Sequence, residues 1–72
     1  MTDKKYSQQK QRTDDMEALL RAHASKGTPW KEVLENIKSN FSDPDVACLI
    51  DRIRPTALNL RIIYEGMADG RY

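Results

Sequence analysis

One helical phase that runs straight through a proline constrains this chain more than any other feature. Val46, Ile50, Ile53, Ala57, Leu60, Tyr64 and Met67 follow one another in steps of four and three, the spacing that lines up side chains on one face of a helix. Pro55 sits in the middle of that run. Proline removes a helical hydrogen bond and crowds the carbonyl four residues back, so the helix must kink or break there. At about 100° per residue Pro55 falls opposite the stripe, which suits a helix bowed around a core. The expectation is an all-α fold: a small three-helix domain, the third helix long and kinked or broken at Pro55.

Local signals place the other two helices. Thr13 followed by Asp14 and Asp15 reads as an N-cap with acidic residues in the first turn, where they meet the positive end of the helix dipole. Met16, Leu19, Leu20 and His23 then recur at helical spacing, and Gly27 is a plausible stop, giving helix one over 14–26. Thr28 as N-cap with Pro29 at the first helical position starts helix two, over 29–40, with Trp30, Val33, Leu34, Ile37 and Phe41 on one stripe. Trp30 reads first as a core anchor. Ser42 with Asp45 makes a capping-box pattern, flanked by Phe41 and Val46 as a hydrophobic staple, so the third helix starts near Asp43. Residues 1–12, with Lys4, Lys5, Lys10 and Arg12, read as a mobile basic arm or a weak helical extension. Residues 13–68 form a single helical domain, and 69–72 a short tail.

The segment "RPTALNLRIIYEGM" carries more apolar surface than one side of a helix can hold. Leu58, Ile62, Pro55 and Cys48 cluster on the wheel away from the main stripe. Scattered exposed leucines need no purpose, but a second apolar side on one helix is also what a docking surface looks like. A strand is the competing geometry, because Leu58, Leu60, Ile62 and Tyr64 alternate with Ala57, Asn59, Arg61 and Ile63. Either geometry calls for association through the C-terminal third. The spacings Arg61 to Glu65 and Asp51 to Arg54 suit surface ion pairs on a helix. Alternatively, Arg52, Arg54 and Arg61 rim an interface and set its register.

Size points the same way. A chain of 72 residues buries roughly 60% of the surface it exposes when unfolded, and domains this small are commonly supported by disulfides, metals or oligomerisation. One cysteine, Cys48, excludes an intrachain disulfide, and with His23 as the only histidine a zinc site is short of ligands, so no metal is expected. No base lies near Cys48 in sequence, the three glycines form no phosphate loop, and no cofactor or catalytic residue is indicated. The expectation is a non-enzymatic protein. The lone cysteine, the polar start and the absence of a long apolar run fit a soluble cytoplasmic chain with no membrane partner.

A net charge of +1 exerts no global pull toward nucleic acid. Helices two and three nevertheless invite comparison with a helix-turn-helix, since Ser42, Val46 and Ile50 match the spacing of many recognition helices. Asp43 and Asp45 would then stand where phosphates are met, which argues against groove insertion. The reading that accommodates most residues is a regulatory or inhibitory protein–protein interaction module, forming a homodimer or docking on another protein through Leu58, Ile62, Tyr64, Met67, Arg54 and Arg61. The alternative is a nucleic-acid-binding regulator that contacts phosphates through Lys4, Lys5, Lys10 and Arg12.

Overall fold

The computed structural model describes the backbone of residues 3–72 and side chains from Gln8 onward. Its described residues are all-helical, with four helices: α1 (Asp3–Lys26), α2 (Trp30–Asn40), α3 (Asp43–Ile53) and α4 (Leu60–Ala68). α1 is the central element, packed against each of the other three. None of these helices is long and apolar enough to cross a membrane.

The expected count of three helices is corrected at Pro55. Arg54 takes an extended conformation, with φ −153° and ψ 92°, because the residue before a proline is barred from the helical region by the proline ring. A turn follows, closed by the Ala57 N–H on the Arg54 carbonyl at 2.9 Å. Asn59 then starts a new helix, its side-chain oxygen accepting from the Ile62 N–H at 3.2 Å. The chain is therefore broken at Pro55 into α3 and α4, with residues 54–59 between them. The strand alternative gives way to helix from Leu60 onward, and no strand occurs among the described residues.

α1 starts upstream of the expected position. Thr13 is not an N-cap: it lies inside α1, is buried, and its hydroxyl donates back to the Gln9 carbonyl at 2.8 Å. The preceding run "DKKYSQQKQR" contains no Gly or Pro and is rich in residues of good helix propensity. At the other end, the Thr28 N–H reaches the His23 carbonyl at 3.0 Å and the Gly27 N–H that of Ala24 at 3.2 Å, the bonding of a glycine-terminated helix. α2 begins one residue late, at Trp30, with Pro29 rather than Thr28 at its cap. The Thr28 hydroxyl pairs instead with His23 Nδ1 at 3.0 Å.

Met16 and Leu20 of α1, Val33 and Ile37 of α2, Leu49 of α3, and Leu60, Ile63 and Tyr64 of α4 form the core. Val46, Ile50, Ile53, Ala57 and Met67 of the expected stripe are half-buried around it, along with Trp30 and Phe41. Leu49 and Ile63, both off that stripe, are fully buried. The break at Pro55 frees α4 from the phase of α3, so it turns Ile63 and Tyr64 inward together.

Candidate docking surface

α4 packs its Leu60, Ile63 and Tyr64 side into the core, which leaves the opposite side of its first turn and the preceding residues outward. Leu58 is the only exposed large hydrophobic among the described residues, at 89%. Ile62 is half-buried and lies outside the core cluster. A groove runs between α2 and the start of α4, lined by Trp30, Leu34, Asn59, Leu60 and Arg61. Trp30 is backed by the core: its ring meets that of Tyr64 with centroids 5.5 Å apart, and the Tyr64 hydroxyl donates to the Thr28 carbonyl at 2.6 Å. Leu34 and Trp30 belong to the expected core stripe of α2, and only the fold brings them beside the start of α4.

The expected interface residues separate into three groups. Arg61 lines the groove and pairs with Glu65 at 3.2 Å, while Leu58 is exposed and Ile62 half-buried outside the core. Tyr64 and Met67 are corrected: Tyr64 is buried in the core and Met67 packs half-buried against it, because α4 rests that side on its own chain. Arg54 does not pair with Asp51. Once outside the helix it donates to the Tyr72 hydroxyl at 2.6 Å. Arg52 reaches back to α1, bonding Asp14 at 2.6 Å and Glu17 at 3.3 Å.

Gly66 lies in the last turn of α4, and inside a helix glycine costs up to about 1 kcal/mol relative to alanine. Its backbone is covered by the ring of Tyr72, and a Cβ built on Gly66 would overlap that ring. Tyr72 thus covers Gly66 near the end of α4, while Leu58 before its start is exposed and Ile62 is half-buried.

The two basic residues of the N-terminal segment whose side chains are described, Lys10 and Arg12, are both engaged. Lys4 and Lys5 have side chains outside the described residues. Lys10 pairs with Asp14 at 3.0 Å. Arg12 is bound to Asp45 by Nε at 3.0 Å and Nη2 at 2.8 Å, donates to the Asn40 carbonyl at 3.1 Å, and lies 5.6 Å from the centre of the Phe41 ring. Asp45 is buried at the start of α3 and also accepts from Gln9 and from the backbone and hydroxyl of Ser42. The Arg12 guanidinium, aided by Ser42 and Gln9, holds the Asp45 carboxyl well below the usual carboxylate range against the opposing effect of burial. Asp45 and Arg12 together fasten α1 to the α2–α3 turn.

Cys48 is half-buried in α3 beside Gln9, Lys10, Thr13, Asp51 and Arg52. Among the described residues no three His, Cys, Asp or Glu side chains gather as a metal ion would need. Comparison of the chain with protein-family models, characterised proteins and solved structures finds no match in any of the three.

Proposed function

We propose that this protein is a small non-enzymatic interaction module, regulatory or inhibitory in kind and cytoplasmic, that docks through the outer side of α4 onto a second protein surface, in the simplest case a second copy of itself. The observation that carries the reading is Leu58, 89% exposed at the start of a helix whose neighbouring groove is lined by Trp30, Leu34 and Leu60. Burying Leu58 and the rest of the half-buried Ile62 contributes roughly 2 to 4 kcal/mol of transfer free energy before association entropy is subtracted. Stable association needs further apolar area, for which Trp30 and Leu34 in the groove are the candidates.

Light scattering over a wide concentration range tests this directly. The expected result is a molar mass that rises with concentration in the native protein and stays at the monomer value in Leu58→Glu/Ile62→Glu, with equal far-UV circular dichroism. Unfolding of that double variant instead places both residues in the intramolecular core and refutes the reading.

Phosphate contact through the N-terminal segment is the less favoured role. Arg12 is committed to Asp45, and withdrawing it would strand a buried carboxylate. The test is salt: binding to a mixed-sequence duplex that weakens steeply with ionic strength and vanishes in Lys4→Gln/Lys5→Gln/Lys10→Gln would reinstate that role.

A further inference from the structure

The last four residues close back onto α4 by a defined route. The Asp69 N–H bonds the Glu65 carbonyl at 3.0 Å, that of Gly70 the Met67 carbonyl at 3.2 Å, and that of Arg71 the Gly66 carbonyl at 2.8 Å. This is a helix ending that requires a left-handed residue, and Gly70 supplies it with φ +80°. The reversal delivers Tyr72 onto Gly66, where the ring lies against bare backbone. Two arginines from elsewhere in the fold then hold Tyr72 at opposite ends. Arg54, from the turn at Pro55, donates to its hydroxyl at 2.6 Å, and Arg21 of α1 donates to its main-chain carbonyl at 2.7 Å. A four-residue segment is thereby held by three separate parts of the molecule.

Gly66 follows Ile62 by one helical turn, so the two share one side of α4, and Leu58 lies in the connection that leads into the helix. We infer that residues 69–72 are a latch: closed, Tyr72 covers Gly66 and leaves outward only Leu58 and the accessible part of Ile62; opened by rotation about Gly70, it uncovers Gly66 beside Ile62, where the lack of a side chain lets a second copy of the chain approach the helix backbone. The latch stands on the contacts of the tail itself; only the role of the uncovered Gly66 rests on the docking reading above.

A double-mutant cycle between Gly66 and Tyr72 tests the latch, with folding constants taken from urea unfolding. In the native background Gly66→Ala gains helix propensity but collides with the ring, so it lowers the folding constant or leaves it unchanged. In the Tyr72→Ser background the same substitution raises the folding constant about fivefold. Tyr72→Ser alone accelerates hydrogen exchange of the Arg71 amide about tenfold or more. It also raises the fluorescence of the apolar-surface dye ANS while far-UV circular dichroism is unchanged. Equal effects of Gly66→Ala in both backgrounds, or an Arg71 amide indifferent to Tyr72→Ser, overturn the latch.

Adding Leu58→Glu separates the two ideas. Failure of the docking reading leaves the Gly66–Tyr72 coupling intact, whereas failure of the latch abolishes the coupling and leaves concentration-dependent association unaltered by Tyr72→Ser.

Discussion

Asp45→Asn is the substitution that tests the long-range organisation of this fold most severely. Asp45 is the only charged side chain buried among the described residues, at 1% exposure. Its carboxylate accepts from Gln9 Nε2 at 2.8 Å, Arg12 Nε at 3.0 Å and the Ser42 N–H at 2.8 Å. Asparagine keeps the shape but removes the charge and turns one acceptor into a donor that faces other donors. Truncating one member of a buried ion pair costs about 3 to 5 kcal/mol when the partner is stranded. Here Arg12 keeps 47% of its side chain in solvent and can rehydrate, so the expected loss is smaller, about 2 to 3 kcal/mol.

A domain of this size rarely has more than about 3 to 5 kcal/mol of stability, so the measurement belongs at low temperature, by urea unfolding followed through Trp30 fluorescence. A cycle with Arg12→Met should give a coupling of about 1 to 2 kcal/mol at neutral pH. Because the folded-state pKa of Asp45 is depressed, its contribution is present above the unfolded value of about 3.9 and is lost as pH falls below that toward the folded value. An Asp45→Asn variant within about 0.5 kcal/mol of the native protein, or a coupling that persists undiminished in strong acid, refutes the reasoning.

Other outcomes follow from the same packing. Tyr64→Phe removes a buried hydrogen bond to the Thr28 carbonyl and should cost about 1 to 1.5 kcal/mol in urea unfolding. Burial pushes the Tyr64 phenol above its ordinary value, so its contribution is fully present below about pH 10 and is lost as pH rises through the folded value; Tyr64→Phe should lessen alkaline unfolding. Ile63→Ala empties a fully buried site and should cost about 2 to 5 kcal/mol, while Leu58→Ala should change monomer stability by less than about 0.5 kcal/mol. Arg61→Ala breaks only an exposed pair with Glu65 and should shift stability by less than about 0.5 kcal/mol.

The sequence by itself determined what depends on neighbours a few residues apart. The all-helical character, the course of α2 after Pro29, the Ser42–Asp45 start of α3, the interruption at Pro55 and the Arg61–Glu65 pair all follow from propensities, caps and spacings that act within one or two turns. The exposure of Leu58 was also legible, since no helical phase placed it with the main stripe. Tertiary structure decided the rest. The extension of α1 through Thr13 accompanies Gln9 and Arg12 bonds to a carboxylate more than thirty residues away. Ile63 and Tyr64 turn inward because breaking the helix at Pro55 released α4 to choose its own face against α1.

The meaning of Gly66 was the hardest to read. In sequence it signals only the weakening end of a helix, whereas in the fold it is the seat for Tyr72. A close approach of backbone to ring has no signature in either segment alone, because it exists only where three separate parts of the chain arrive at one place.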